Sequence, residues 1–207
     1  MQALKEYIKD KSVAIVGNAK SILYNKKDID KHDIIVRMNM ADPREHKEYM
    51  GSITDIWATG LPQRKALEAY RALKFELIVI VHAAWKPQVI DPERNFIIYE
   101  YPESSQAKLQ AKEQQMGGNF PSTGLRTIDM FVGLGSYKEL YIYGFDFFAT
   151  GDITTESTAP TTHYFNLEKE IVREFMSKDK RIIFHKDEIN YKKDQERQSW
   201  LMKGSVK

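Results

Sequence analysis

Cysteine is missing from all 207 positions, and its absence removes disulfide bonds, thiolate nucleophiles and thiolate metal ligands together. A reducing compartment is the natural expectation. The glycine fingerprint G-x-G-x-x-G of dinucleotide-binding turns and the Walker lysine motif are missing too, so a dehydrogenase or an ATPase loses most of its support. No apolar run approaches the length needed to cross a bilayer, and there is no internal repeat or low-complexity tract. Charge of one sign is not in excess: 31 basic and 29 acidic residues leave a net charge of +2, well mixed along the chain. That pattern is no footprint for nucleic acid. The first residues carry Lys5 and Glu6 on a short amphipathic helix, without the basic start and apolar core of a signal peptide. The expected location is the cytoplasm, with room for peripheral contact on the inner face of a membrane.

What is present fits an ordinary folded chain, with 42% hydrophobic and 29% charged residues. Its length suits one domain with a substantial core. Short apolar, often β-branched runs at 12–16, 33–38, 54–59, 76–82, 95–99, 139–143 and 181–184 predict strands. Between several of them lie helical patterns, at 62–73, at 103–116, from Leu125 to Val132 and at 165–176. The segment 103–116 is nearly all polar, which suits a surface helix or a mobile lid. This alternation predicts an α/β fold: a single Rossmann-like domain with a mostly parallel central sheet and helices on both faces. Ligands of such sheets bind at the carboxyl ends of the strands, where Asn18, Asn39, Gly60, His82 and Gly144 would gather. The domain is expected over 1–186, followed by a charged helix or tail at 187–207. The tail's Lys192, Lys193, Arg197 and Trp200 suit a membrane surface or a partner chain as well as a plain solvated helix.

The densest local signal runs from Gly117 to Leu125. Gly117 and Gly118 free the backbone, Pro121 fixes φ, and Ser122 and Thr123 can cap the apolar helix that follows. A helix that starts this way offers unpaired N–H groups to a phosphate or carboxylate. A capped core helix explains the same residues equally well. The polar loop 149–162 has few apolar anchors and is a candidate for motion.

Several motifs then coincide in order. Val16-Gly17-Asn18, Arg37-Met38-Asn39 and Gly51-Ser52 resemble the long sialyl motif of animal-type sialyltransferases, glycosyltransferase family 29. Pro121-Ser122-Thr123-Gly124-Leu125 is similar to the short sialyl motif, Tyr143-Gly144-Phe145 to the strand after it, and His163 with Glu168 to the very short motif His-x-x-x-x-Glu. A looser similarity to the bacterial family 42 sialyltransferases covers Gly17-Asn18, Arg37 and Asn39, Ser122-Thr123-Gly124 and Gly144-Phe145-Asp146-Phe147. The chain departs from family 29 in lacking both motif cysteines and in having one extra residue in Asn39-Met40-Ala41-Asp42-Pro43. It has no separate counterpart of the third motif, so His163 is open to two roles, general base or phosphate ligand. In place of a phosphate-binding tyrosine of family 42 stands Phe148.

The resemblance implies an inverting, metal-independent transferase that moves a nonulosonic acid, sialic acid or a relative such as Kdo, from its CMP conjugate to a glycan hydroxyl. It implies His163 and Glu168 as catalytic residues, and Gly17, Asn18, Arg37, Asn39, Ser122, Thr123, Gly124 and Gly144 around the CMP donor. No cofactor is expected beyond the CMP-activated substrate. The partners expected are the donor and a glycan acceptor, with no nucleic acid, and an oligomer is compatible with the sequence. Read as bare residues, Asn18 and Asn39 fit left-handed turns, Arg37 a structural ion pair, and Asp146 either a turn cap or a group that orients the base. A pterin or nucleotide pyrophosphokinase-like enzyme on a related sheet, and a non-catalytic CMP-binding module, are the rival readings.

Overall fold

The structure is a computed structural model that describes residues 2–39, 43–60, 77–80, 97–100, 107–109, 111–112, 121–153 and 163–186. Seven strands form one sheet: β1 (Ser12–Val16), β2 (Ile34–Met38), β3 (Ile56–Thr59), β4 (Leu77–Ile80), β5 (Ile97–Glu100), β6 (Glu139–Tyr143) and β7 (Ile182–Phe184). All neighbours pair parallel, in the order β5-β4-β3-β2-β1-β6-β7. The chain steps outward from β1 to β5, then returns to lay β6 on the other side of β1. The order reverses there, where sheets of this kind take ligands in a crevice at the carboxyl edge; here the turns after β1 and β6 are bonded to each other, Ala19 N to Gly144 O at 3.1 Å and Ile153 N to Asn18 O at 2.9 Å.

The strands are apolar on both sides because both faces are covered. On one face Val13, Ile15, Ile34, Val36 and Ile142 pack with α1 (Gln2–Tyr7), α3 (Thr123–Leu134) and α4 (Phe165–Lys178), through Leu4, Leu125, Phe131 and Ile171. On the other, Ala14, Val16, Ile35 and Tyr143 meet Ile22 and Ile29 of two short 3-10 turns and Met50 of α2 (Lys47–Met50). Helices that connect parallel strands run back against them, so α3 before β6 and α4 before β7 both bring their N-terminal ends to the carboxyl edge.

Several strands begin later than their apolar runs, because a polar side chain closes the amino edge. Asp33 Oδ2 accepts from Ser12 N at 2.8 Å and Ser12 Oγ at 2.7 Å, so β2 starts at Ile34. Asp55 Oδ2 accepts from Ile35 N at 2.7 Å, so β3 starts at Ile56 and not at Thr54. Arg181 folds back on Asp179 and on the carbonyls of Gly135 and Tyr137, and β7 starts at Ile182. The helix predicted to end at Met176 runs on to Lys178. Of the polar segment 103–116, residues 107–109 and 111–112 are described and helical, with Leu109 only 4% exposed in the core and Lys112 paired with Glu174 at 3.7 Å. That portion is a packed surface helix.

The predicted helix 62–73, His82, residues 117–120 and the tail 187–207 lie outside the described residues. Within the loop 149–162, the described part is tied down. Lys20 N donates to Gly151 O at 3.0 Å, Ile153 N to Asn18 O at 2.9 Å and Ser21 N to Thr150 Oγ1 at 2.9 Å. Residues 150–153 thus clasp the turn after β1, a long-range anchorage invisible to local hydropathy.

Candidate active site

The crevice is built around one ring. Phe145, two residues beyond β6, packs against the backbone of both Gly17 and Gly124. A Cβ on Gly17 would stand 2.4 Å from Gly144 O and 2.9 Å from the Phe145 ring, and one on Gly124 would stand 2.6 Å from Phe145 Cε1. Gly144 holds φ of 66°, and a Cβ there would press on Gly17 O at 2.8 Å. The three glycines are therefore required for close approach of chain to chain, bringing the turn after β1, the turn after β6 and the start of α3 into contact.

Asn18 leaves β1 into this crevice. Its Nδ2 donates to Met38 O at 3.4 Å, tying the ends of β1 and β2 together, while its buried Oδ1 has no hydrogen-bond partner. Asn39, at the end of β2, is left-handed with φ of 50°. Its carbonyl accepts from Trp57 Nε1 at 2.8 Å and its Oδ1 from Gly60 N at 3.2 Å, so its side-chain oxygen is occupied in shaping the neighbouring turn. Trp57 was not singled out in the sequence; its indole N–H is committed to a backbone carbonyl, which no motif announces.

At the start of α3, Ser122 is the N-cap, with its hydroxyl accepting from Leu125 N at 3.1 Å. The same hydroxyl donates to Glu168 Oε2 at 2.6 Å, and Ser122 N donates to Glu168 Oε1 at 2.7 Å. Glu168, 3% exposed in the first turn of α4, thus joins the two helix starts. Both of its carboxylate oxygens are bonded to Ser122. Thr123 is half-buried at the first position of α3, and its carbonyl accepts from Thr127 Oγ1 at 2.7 Å.

His163 lies just before α4, half-buried, with its ring 5.6 Å from that of Phe165. Phe165 in turn stacks on Phe148 at 4.6 Å, which links the base of α4 to the loop after β6. In that loop Asp146 closes a turn: its Oδ2 accepts from Thr150 N at 3.1 Å and from the Thr150 hydroxyl. Its Oδ1 is buried with no partner. Of the two sequence readings of Asp146, the turn cap is what the geometry shows.

Arg37 is not brought to the crevice. It is fully buried on the second face, with Nε donating to Ile53 O at 2.9 Å and a terminal nitrogen to Met50 O at 2.7 Å. The strand period explains this: Arg37 shares the face of Ile35, and its guanidinium stitches the loop before β3 to the sheet. The expectation that it touches a donor phosphate gives way to a structural role. Among the described residues no three His, Cys, Asp or Glu side chains gather as a cation site would need, and no helix is long and apolar enough to cross a membrane.

A parallel sheet whose order reverses at β1, with two helix starts at its carboxyl edge, is a Rossmann-like α/β arrangement. Compared by sequence, the chain matches no protein-family model and no curated protein. Compared by structure, its neighbours are mammalian and bacterial sialyltransferases. A mammalian sialyltransferase in complex with Gal-beta-1-3GalNAc-ortho-nitrophenol superposes with a TM-score of 0.59 at 19% identity, covering 88% of this chain and 71% of that one. The sialyltransferase CstII from Campylobacter jejuni, in complex with the substrate analogue CMP-3FNeuAc, superposes with a TM-score of 0.54 at 19% identity, covering 84% and 79%. CstII with a trisaccharide acceptor and CMP gives a TM-score of 0.54 at 19% identity, covering 84% and 80%. The fold of this chain is thus the Rossmann-like fold of sialyltransferases.

Proposed function

We propose that the chain is a CMP-sugar-dependent glycosyltransferase. It moves sialic acid or a related acid such as Kdo to a glycan hydroxyl, with inversion and without a metal ion. The observation that carries this reading is the Glu168–Ser122 pair, which joins the starts of α3 and α4 beside the crevice where Asn18 Oδ1 is buried and unpartnered. The Glu168 carboxylate takes the Ser122 end of α3, and the next N–H groups of that helix start are left to meet a phosphate. Backbone N–H groups at Thr123 and Gly124 would hold the phosphate oxygens, and the Asn18 amide oxygen would accept from a donor hydroxyl or amine. Ser122, Glu168, Asn39, Gly17 and Gly144 shape the cradle.

In the reaction, the acceptor oxygen forms a bond to the anomeric carbon as the bond from that carbon to the CMP phosphate oxygen breaks. The electron pair leaves with CMP, and His163 takes the acceptor's hydroxyl proton. Histidine suits this step because its charge change lies near neutrality. The proposed setting is the cytoplasm, building a bacterial surface glycan such as lipopolysaccharide or capsule, with the basic residues of 187–207 touching the inner membrane face.

The test is transfer from CMP-sialic acid and CMP-Kdo by wild type and His163→Ala, alongside thermal shift with CMP. The variant is expected to lose about 100-fold or more in turnover while CMP still raises its melting point. Undiminished turnover removes His163 as base. Metal-dependent use of ATP in preference to CMP would favour a pyrophosphokinase-like enzyme, and CMP binding without transfer a non-catalytic module.

A further inference from the structure

The Phe145 ring stands between two buried glycines and meets them with opposite edges. Its Cδ2 and Cε2 atoms lie 2.9 Å from where a Cβ on Gly17 would stand. Its Cε1 and Cζ atoms lie 2.6 and 3.4 Å from where a Cβ on Gly124 would stand. Cδ2 and Cε2 form one side of the ring and Cε1 belongs to the other, so the ring spans the gap between the turn after β1 and the start of α3. Each of those elements is bonded to a different neighbour. Gly17 N donates to Tyr143 O at 2.8 Å and Ala19 N to Gly144 O at 3.1 Å, which seats the β1 turn on β6. Ser122, at the start of α3, is bonded to Glu168 of α4. The ring lies between these two separately anchored pieces, and it is rigid in its own plane.

We propose that Phe145 is a strut that sets the separation between the two halves of the donor cradle, which makes it a positioning residue for a ligand that must touch both. The proposal rests on the reading of the crevice as a CMP site given above. In that reading the Asn18 amide oxygen, one residue beyond Gly17, accepts from a hydroxyl or amine of the nucleoside, while the phosphate meets the N–H groups of Thr123 and Gly124. Nucleoside and phosphate are joined by a short covalent bridge, so the second contact follows the first only where the two halves stand at the matching distance. A separation fixed before binding spares the ligand the cost of arranging it. Cytidine alone touches one half and gains nothing from the spacing. Leucine lacks the far edge of the ring, and methionine has the reach but bends about three side-chain bonds, so neither replaces the strut. Tyrosine keeps the ring.

The experiment measures CMP binding by calorimetry and cytidine binding by NMR titration, on the full chain, in wild type, Phe145→Leu, Phe145→Met and Phe145→Tyr. Melting curves show which variants are folded, and Phe145→Met serves if Phe145→Leu is not. The expected result is that leucine and methionine weaken CMP binding about 10-fold or more while cytidine binding stays within about 2-fold of wild type. Phe145→Tyr is expected to keep the affinity for CMP. A role confined to packing would lower the melting point and leave the affinity of the folded protein alone, so unchanged CMP binding in a folded leucine or methionine variant would overturn the strut. Equal losses for CMP and cytidine would overturn it too, since the ring would then only support the β1 turn, and so would a tyrosine variant as weak as leucine. Wild type that binds CMP no tighter than cytidine would remove the phosphate contact at α3 and the strut with it, whereas wild type that binds neither would bring down the CMP reading itself.

Discussion

Glu168 accepts two hydrogen bonds from one residue, Ser122, the N–H at 2.7 Å and the hydroxyl at 2.6 Å. Ser122 caps α3 and Glu168 lies in the first turn of α4, so a single buried carboxylate joins two helix starts that each carry partial positive charge. Glu168, five residues after His163, is therefore a brace between the two helices.

Removing that brace has a measurable consequence. Glu168→Ala leaves the Ser122 N–H and hydroxyl without their acceptor and is expected to destabilise the fold by about 2–4 kcal/mol in urea denaturation. A double-mutant cycle with Ser122→Ala should return a coupling of about 1 kcal/mol or more. Strictly additive losses would show that the pair does not brace the helices.

The glycines around Phe145 separate two kinds of clash. Gly124→Ala would place its methyl 2.6 Å from the Phe145 ring, a side chain that can be trimmed, whereas Gly17→Ala would meet the Gly144 carbonyl at 2.4 Å. Each substitution alone is expected to destabilise by about 1–3 kcal/mol. Adding Phe145→Leu should recover more of the loss for Gly124→Ala than for Gly17→Ala, whose tightest clash is with backbone. Equal recovery for both, read from melting temperatures, would contradict the geometry.

Arg37 offers a test of binding against folding. Arg37→Met strips Met50 O and Ile53 O of their donors and should destabilise by about 2–3 kcal/mol. The rise in melting point produced by CMP should match wild type, since the guanidinium lies on the second face. A folded variant that no longer responds to CMP would restore Arg37 as a ligand.

His32 should give the chain an acid limb in stability. It is 7% exposed, its Nε2 lies 2.9 Å from the Tyr143 hydroxyl, and its ring is 4.2 Å from that of Tyr141. Burial, then Lys31 and His185, lower its pKa from the usual 6.5, with Asp28 and Asp33 acting weakly the other way. The unfolded chain thus takes up this proton at higher pH than the folded one. Stability is full above pH 6.5 and is lost as pH falls toward the folded value. Denaturation at several pH values between about 7 and 5 should show this slope in wild type and a flatter one in His32→Phe. Asp179, held at about 2 by Arg181, gives its own separate limb, below the ordinary carboxylate value of 3.8. An equal slope in His32→Phe would place the limb elsewhere.

Much of the sheet is legible without coordinates. The runs at 12–16 and 139–143 coincide with β1 and β6 residue for residue, because strands buried on both faces must be apolar throughout. The later starts of β2 and β3 were not, because Asp33 and Asp55 reach across to Ser12 and Ile35 on neighbouring strands. The cap at Ser122 is a local signal, and it is where the helix begins. Its second partner, Glu168, is 46 residues away, which is beyond any window of hydropathy or propensity.

Composition, the absence of cysteine and the alternation of short apolar runs with helical patterns determined the class of fold and the edge at which a ligand would sit. Those properties follow from local backbone preference and from which faces must be hidden from water. Which polar atoms remain available at that edge was decided only in three dimensions. Arg37 and Asn39 carry the same motif, yet one turns to the far face and the other binds its neighbouring turn, while Asn18 keeps a buried oxygen without a partner. Hydrogen-bond partners on strands brought side by side depend on the register of the whole sheet, and no short stretch of sequence contains it.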